Sequence, residues 1–211
     1  MELAARLRDA RLYLAVEVGC EEVVRAALGA GLDMVQLRDK DADDATLLRA
    51  AGELRDLCRA HGAVFVVNDR PDLALECGAD AVHLGQDDAP VETVRSDVGD
   101  RLGIGLSTHS REQIGAAEAS SADYYAVGPV HETPTKPRRP AVGLELVGHA
   151  AAVAAKPWFA IGGIDPGNVR EVAAAGAARV VVVRAIRDAA DPAAATRALR
   201  AGLEAEAPVA R

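Results

Sequence analysis

Eight short apolar runs alternate with eight longer, alanine-rich stretches along almost the whole of this 211-residue chain. Short apolar runs are typical of strands buried on both faces, whereas apolar residues at helical spacing predict helices. The clearest helix is Asp44–His61, in which leucine, alanine and cysteine recur at that spacing. Repeated strand–helix units favour parallel strands joined by right-handed crossovers. The pattern therefore predicts an α/β fold.

Eight such units predict a compact (β/α)8 TIM barrel. The predicted strands are Arg11–Val16, Met34–Leu37, Val64–Val67, Ala81–Leu84, Arg101–Leu106, Tyr124–Val127, Trp158–Ile161 and Arg179–Val183. The predicted helices are about Cys20–Ala30, Asp44–His61, Asp72–Cys77, Pro90–Val98, Arg111–Ser120, Glu145–Ala155, Pro166–Ala175 and Pro192–Ala205. An open, doubly wound sheet is the alternative, but no Gly-x-Gly-x-x-Gly follows the first strand. We expect one domain over residues 1–211, with a frayed tail from about residue 205.

Composition restricts the classes of partner. A formal net charge of −8 argues against a nucleic acid or an anionic membrane. No apolar stretch approaches the ~20 residues needed to cross a bilayer, and the charged N-terminus lacks the apolar core of a signal peptide. The three cysteines are widely spaced and form no zinc pattern, as expected of reduced thiols. We expect a soluble, cytoplasmic protein that binds small molecules, and the sequence leaves open whether it is a homo-oligomer.

Polar residues follow the second predicted strand in alternation. Gln36, Arg38 and Lys40 would share one face, and in a closed barrel that face can be the interior. Cations inside a barrel require an anion, so this segment indicates an anionic ligand. The alternative is a sheet edge with solvated charges.

Carboxylates follow the third and fourth predicted strands. Asn68 and Asp69 end one strand, and Asp87 and Asp88 follow the next. These strand ends are neighbours in a barrel, and Mg²⁺ typically takes one or two carboxylates together with water and phosphate oxygens. Aspartate and asparagine also cap helices, and that alternative stays open for both pairs.

Ser107 and His109 follow the fifth strand on one side, and Ser110 is placed to cap the next helix. A Ser–His–acid nucleophile scheme lacks a Gly-x-Ser-x-Gly elbow. We therefore expect these residues to bind a ligand or to position one.

Two loops are candidates for binding phosphate. After the sixth strand, the segment Gly128–Pro137 presents two threonines and Lys136 between prolines, which suits phosphate oxygens as well as a plain solvated loop. After the seventh strand, Gly162 and Gly163 allow a phosphate to approach backbone amides. These glycines could equally form a tight turn before a helix starting at Pro166.

In their order along the chain, these residues resemble the thiamine-phosphate synthase family. The resemblance runs from Tyr13 to Ile186. It rests on Gln36-Leu37-Arg38-x-Lys40, Asn68-Asp69, His83-Leu84-Gly85-Gln86-x-Asp88, Ser107-x-His109, Gly128-Pro129-Val130, Thr133-x-Thr135-Lys136 and Gly162-Gly163-Ile164. It implies a (β/α)8 barrel that joins 4-amino-2-methyl-5-hydroxymethylpyrimidine diphosphate to a thiazole phosphate, with or without a carboxylate, and requires Mg²⁺.

The resemblance also implies a role for each matching residue. Asp69 and Asp88 would hold Mg²⁺. The pyrimidine diphosphate would be bound by Gln36, Arg38, Lys40, Asn68, Ser107 and Lys136, of which Arg38, Ser107 and Lys136 would serve catalysis. Thr133 and Thr135 would contact the thiazole, and its phosphate would lie on amides at Gly163, Val183 and Arg184.

The family's dissociative, carbocation-like mechanism agrees with these residues, because such a reaction needs cations for a departing diphosphate and no protein nucleophile. Two positions depart from the family pattern. Arg184 stands where serine is common, and His131 stands where an aromatic residue is usual. The role of Arg184 and the packing of the loop around His131 stay open.

Three alternatives remain at this stage. A thiazole tautomerase of the same fold would need an acid/base residue, and its Gly-His-Val pattern is replaced here by Gly128-Pro129-Val130. A non-catalytic thiamine-phosphate-binding paralogue would be favoured by loss of the carboxylates or of the Arg38/Lys40 pair, and all are present. A general phosphate-binding isomerase barrel leaves Gln-x-Arg-x-Lys unexplained.

Overall fold

The structure, a computed structural model, describes residues 2–132 and 140–205. Eight parallel strands form one closed barrel in chain order, with β8 hydrogen-bonded to β1. The strands are β1 Leu12–Val16, β2 Met34–Leu37, β3 Val64–Asn68, β4 Ala81–Leu84, β5 Gly103–Thr108, β6 Tyr124–Val127, β7 Trp158–Ile161 and β8 Val180–Val182. The predicted single-domain (β/α)8 barrel is confirmed.

Helices cover the outside of the barrel. They are α1 Leu3–Asp9, α2 Glu21–Gly29, α3 Asp44–His61, α4 Pro71–Cys77, α5 Val91–Val98, α6 Arg111–Ala119, α7 Gly143–Val153, α8 Val169–Ala174, α9 Arg184–Arg187 and α10 Pro192–Ala205. A short 3-10 turn, Gly99–Arg101, precedes β5. Within the described residues, no helix is long and apolar enough to cross a membrane. The predicted frayed tail beyond Ala205 lies outside the described residues.

Some predicted boundaries differ from the structure. The fifth strand begins two residues later than predicted and continues through Ser107 to Thr108, whose hydroxyl donates to the Ala126 carbonyl at 2.9 Å. The predicted helix from Pro166 begins only at Val169, because a turn joins the Gly167 amide to the Asp165 carboxylate at 2.7 Å. The helices α1 and α9 were not predicted.

The buried side chains form two clusters. The larger lies between the barrel and its helices, and the smaller fills the barrel interior with aromatic and aliphatic groups. Leu7 of α1 is 2% exposed and belongs to the inner cluster, so α1 closes the N-terminal end of the barrel. This apolar floor leaves the opposite, C-terminal end for ligands.

Three aspartates organise the N-terminal end. Each directly precedes an even-numbered strand, and each carboxylate accepts hydrogen bonds from an amide near the start of the preceding odd-numbered strand and from an arginine. We call Asp33, Asp80 and Asp123 the basal aspartates. Their contacts are Arg11 N, Leu12 N and Arg200 with Asp33, Phe65 N and Arg6 with Asp80, and Ile104 N and Arg95 with Asp123, at 2.6 to 3.1 Å. The basal aspartates thus bind adjacent strands together.

Candidate active site

Among the cavities at the C-terminal end of the barrel, two are neighbours. The larger, of about 360 Å³, lies over the ends of β5 to β8. The smaller, of about 80 Å³, lies over the barrel mouth. Residues that line both are Ser107, Ala126, Ile161, Val181 and Val183. The cavities therefore share a wall, an arrangement that suits two ligands held side by side.

The residues after β2 divide between the interior and the rim. The Gln36 side chain is 4% exposed and its amide donates to the Tyr13 hydroxyl, while Arg38 lines the smaller cavity. Lys40 differs from the expected interior position: its side chain is 61% exposed and lies 3.1 Å from the Asp69 carboxylate. The alternation fails because β2 ends at Leu37 and a turn follows. Lys40 therefore lies at the rim.

The carboxylates of Asp69 and Asp88 lie next to each other at the ends of β3 and β4. Asp69 adopts a left-handed backbone (φ 62°), and its amide donates to the His83 carbonyl at 2.9 Å. Asp88 accepts the Gly85 amide at 2.7 Å. Burial raises the pKa of Asp88, and its hydrogen bond with Asp69 raises it further. This pair concentrates negative charge at one point of the rim.

Neither member of this pair caps a helix. The helix α4 begins at Pro71 without a side-chain cap, and the residue before α5 is Pro90. The alternative explanation for Asp69 and Asp88 is therefore excluded. Ser110, by contrast, caps α6 as predicted, accepting the Gln113 amide at 3.3 Å.

Two carboxylates, Asp69 and Asp88, suit a Mg²⁺ site better than a metal site in which protein side chains supply all the ligands. Among residues 2–132 and 140–205, no group of three or more histidine, cysteine, aspartate or glutamate side chains is placed to hold a metal ion. Magnesium commonly takes one or two carboxylates and completes its shell with water and phosphate oxygens. A bound cation would favour the ionised form of Asp88, whose pKa is raised by burial first and by the neighbouring Asp69 second.

Ser107 and His109 lie at the wall of the larger cavity. The Ser107 hydroxyl lies 3.0 Å from His83 Nε2, and its carbonyl accepts the Gln86 side chain at 2.6 Å. His109 Nδ1 contacts the Gly128 carbonyl. These contacts join the ends of β4, β5 and β6 around the cavities.

The loops after β6 and β7 pack tightly against each other. The Val130 amide donates to the Ile161 carbonyl at 2.8 Å, and the His131 amide donates to the Gly162 carbonyl at 3.0 Å. Gly162 has a positive φ of 108°, and a Cβ there would lie 2.5 Å from Pro129 Cα. The glycines therefore serve this close approach as well as lining the larger cavity. Thr133, Thr135 and Lys136 lie outside the described residues.

The three predicted phosphate-binding positions come together. Gly163, Val183 and Arg184 all line the larger cavity. Arg184 begins the short helix α9, which turns the chain directly after β8. Gly163 has a positive φ of 64°, and its carbonyl accepts the Asn168 side chain at 2.8 Å. These residues of the two loops thus border one cavity, and their binding of phosphate stays a prediction.

The sequence profile of the thiamine monophosphate synthase family matches residues 14–186, which span all eight strands except the first residues of β1. The chain belongs to this family. The activity that goes with membership is thiamine-phosphate synthesis, a transferase reaction of thiamine biosynthesis.

Individual relatives agree with the thiamine monophosphate synthase profile. A thiamine-phosphate synthase of Acidothermus cellulolyticus is 52% identical over 212 residues, covering 97% of this chain and 100% of the relative. One of Saccharopolyspora erythraea is 50% identical, covering 95% and 96%. The solved thiamine phosphate pyrophosphorylase of Pyrococcus furiosus superposes with a TM-score of 0.87 at 34% identity, covering 98% of this chain and 100% of that chain.

The synthase site also contains residues that sequence reasoning missed. Tyr13 lines the smaller cavity and accepts from Gln36, and Arg187 lines the same cavity 3.3 Å from Glu17. His83 lies in the apolar run of β4, and its Nε2 contacts the Ser107 hydroxyl. The alternation of β1 could have placed Tyr13 inside, but the contacts of Arg187 depend on α9, which is too short to predict from periodicity.

Proposed function

We propose that this protein joins 4-amino-2-methyl-5-hydroxymethylpyrimidine diphosphate to a thiazole phosphate, with Mg²⁺, and releases thiamine phosphate and diphosphate. The observation that carries the proposal is the pair of neighbouring cavities, which share a wall that includes Ser107 and Val183. One is bordered by Gln36 and Arg38, and the other by glycine-rich loops. A reaction between two phosphorylated partners requires two adjacent sites of these kinds.

The pyrimidine diphosphate belongs to the smaller cavity and the adjoining rim. Gln36, Arg38, Asn68 and Ser107 line that cavity, and Lys40 lies at the rim beside Asp69. Asp69 and Asp88 would hold Mg²⁺, which when bound neutralises charge on diphosphate oxygens. The cations Arg38 and Lys40 bind the same diphosphate, and Lys136 is assigned to it from the resemblance alone.

The thiazole phosphate belongs to the larger cavity. Gly163, Val183 and Arg184 border it, and their backbone amides would donate hydrogen bonds to the phosphate oxygens. Thr133 and Thr135 would contact the thiazole from the loop after β6. The cavity's apolar lining, including Ile164 and Val182, suits an uncharged ring.

The reaction needs no nucleophile from the protein. The bond between the pyrimidine methylene carbon and the diphosphate oxygen breaks, and the electron pair leaves with the diphosphate. The electron-rich aminopyrimidine stabilises the cation that remains, and the thiazole nitrogen then forms the new C–N bond. Arg38, Lys40 and Lys136 stabilise the leaving charge, while Ser107 and the shared wall hold the two reacting atoms close together.

A direct assay tests this proposal. Purified protein is incubated with both substrates, with and without Mg²⁺, and thiamine phosphate and diphosphate are quantified. We expect both products in equal amounts, loss of activity on chelation, and recovery with added Mg²⁺. Asp69→Ala and Lys136→Ala are expected to lose at least about 100-fold in kcat/KM, whereas Asp41→Ala, an exposed acid of the same rim, is expected to keep wild-type activity.

The outcomes also separate the alternatives. Binding of thiamine phosphate without turnover by the wild type would favour a non-catalytic paralogue. Isomerisation of the thiazole without consumption of the diphosphate would favour a tautomerase. Unchanged turnover in Asp69→Ala or Lys136→Ala would contradict the assigned roles. We further propose that the protein works in the cytoplasm, an assignment supported by the three free cysteines.

A further inference from the structure

A chain of five polar side chains crosses the barrel interior beneath the two cavities. Gln36 donates to the Tyr13 hydroxyl, which lies 3.3 Å from the Tyr124 hydroxyl. The Tyr124 hydroxyl lies 3.3 Å from His83 Nδ1, and His83 Nε2 lies 3.0 Å from the Ser107 hydroxyl. We call these residues the internal chain. Both of its ends, Gln36 and Ser107, line the smaller cavity.

The barrel holds the middle of the internal chain in place by packing. The rings of Tyr13, Tyr124 and Phe159 meet edge to face in all three pairs, with centroids 5.5 to 6.3 Å apart. Tyr13 and Tyr124 are both completely buried. Two hydroxyls in such a setting must satisfy each other or nearby polar groups, because an unpaired buried hydroxyl destabilises the folded state.

Gly105 makes room for this contact. It lies on β5, and a Cβ there would fall 2.5 Å from the Tyr124 hydroxyl and 2.6 Å from His83 Nδ1. Any larger residue would separate the two groups. The sequence therefore places a glycine in the middle of a strand, where glycine is unfavourable, at the point where tyrosine and histidine meet.

The available protons suggest which group donates and which accepts in each hydrogen bond of the internal chain. The Gln36 amide nitrogen donates to the Tyr13 hydroxyl, which leaves the Tyr13 proton available to the Tyr124 hydroxyl. In the arrangement that uses each of these protons in a hydrogen bond, Tyr13 donates to Tyr124, and Tyr124 donates to an unprotonated His83 Nδ1. Burial raises the pKa of both tyrosines, which keeps both hydroxyls protonated as this arrangement requires.

We infer that Tyr124 holds His83 as the neutral Nε2–H tautomer, and that His83 thereby orients the Ser107 hydroxyl proton toward the substrate cavities. His83 Nε2 donates to Ser107, which leaves the hydroxyl proton of Ser107 to point outward as a donor. Tyr13, Tyr124 and His83 are positioning residues in this arrangement. They set the direction of a hydrogen bond that Ser107 offers to the substrate.

The test uses two tyrosines that are neighbours on the same strand. Tyr124 faces the barrel interior, whereas Tyr125 belongs to the cluster between the barrel and its helices. Tyr124→Phe removes one hydroxyl of the internal chain and keeps the ring. Tyr125→Phe makes the same chemical change outside the chain and is the matched control.

The kinetic readout is a double-mutant cycle, which rests on the proposed function. Tyr124→Phe is expected to lower kcat/KM about ten-fold, the equivalent of one hydrogen bond, and Tyr125→Phe to lower it less than two-fold. In a Ser107→Ala background, Tyr124→Phe is expected to cause no further loss, because it acts through Ser107. Equal effects of the two tyrosine variants, or additive losses with Ser107→Ala, would overturn the inference.

The second readout does not depend on activity. Nitrogen-15 NMR of the imidazoles, with His83 assigned by the signal lost in His83→Gln, reports which ring nitrogen is protonated. We expect protonated Nε2 and unprotonated Nδ1 in the wild type and in Tyr125→Phe, and a changed Nδ1 signal in Tyr124→Phe and Gly105→Ala. A wild-type Nδ1–H tautomer or imidazolium would refute the assignment, whereas absence of turnover with the expected tautomer would refute only the proposed function.

Discussion

The two ends of this barrel use the same residue type for opposite purposes. At the N-terminal end, each basal aspartate accepts at least one strand amide and an arginine. At the C-terminal end, Asp69 and Asp88 lie next to each other, with Lys40 near Asp69 and the Gly85 amide on Asp88. Carboxylates at the first end are neutralised by the fold, whereas those at the second retain a charge that a ligand can neutralise.

This difference indicates that the carboxylates at the N-terminal end stabilise the fold, whereas those at the C-terminal end are suited to binding. A carboxylate with cationic and amide partners stabilises the folded state when ionised, because these partners favour the charged form. At the C-terminal end the reverse holds, because burial and then the neighbouring Asp69 raise the pKa of Asp88 and disfavour its ionised form. This unfavourable pair lies at the open end of the barrel, where the proposed function places a metal ion.

The largest effect that tests this comparison is expected at Asp88. Asp88→Asn should lower kcat/KM by about 100- to 1000-fold, and the melting temperature should stay unchanged or rise. Because the folded pKa of Asp88 is raised, its ionised form costs stability at pH values above that pKa, and the amide removes this cost. Steady-state kinetics and thermal unfolding at neutral pH measure both. Asp87→Asn, at the exposed neighbouring acid, is the control, and a clear drop in melting temperature for Asp88→Asn alone would contradict the comparison.

A basal aspartate should show the opposite behaviour. Asp33→Ala removes hydrogen bonds to the Arg11 and Leu12 amides and the ion pair with Arg200. We expect the free energy of unfolding to fall by about 2–3 kcal/mol, since two strand amides and a guanidinium lose their acceptor. Denaturant unfolding measures the loss, and kcat/KM well below the melting temperature should stay within about two-fold of wild type. Asp100→Ala, at an exposed acid before β5, serves as the reference; an equal loss in both variants would refute the role given to Asp33.

The smallest effect concerns the thiols at the two ends. Cys20 precedes α2 near Arg187 and is partly exposed, whereas Cys58 is buried in α3 near Asp80. Burial and then the Asp80 charge raise the pKa of Cys58 to about 12. In the native protein at pH 8, an alkylating reagent should therefore modify Cys20 and leave Cys58 unmodified, as mass spectrometry of peptides would establish. Labelling of Cys58 at the rate of Cys20 would show that the buried end opens readily.

Most of the fold could be predicted because its signals are local. Seven of the predicted strands match to within one residue at either end, since each is an apolar run between turn residues. The fifth strand was misplaced because Gly103, Gly105 and Ser107 lack a strand-like pattern. Gly105 is explained only by Tyr124 and His83, which come from neighbouring strands.

The sequence predicts which residues are candidates for the site more readily than it predicts their positions and contacts. Strand ends meet in a barrel, so Asp69 and Asp88 were expected together, and their contact agrees. The rim position of Lys40 was not predicted, because side chains alternate between the two faces only within a strand and β2 ends at Leu37. The contact between Tyr13 and Tyr124 joins residues 111 positions apart, and no local pattern reports such a pair. The helix α1 was missed although Leu3 and Leu7 share one helical face.

The basal aspartates join the strands of this barrel in pairs. They join β1 to β2, β3 to β4 and β5 to β6, and the corresponding position before β8 is Arg179. The fourth pair of strands, β7 and β8, therefore lacks a carboxylate like those that join the other three pairs. Its upper ends carry Gly162, Gly163 and Val183 around the larger cavity. The strand pair whose C-terminal ends border the larger cavity is therefore the pair that lacks this carboxylate link at its N-terminal end.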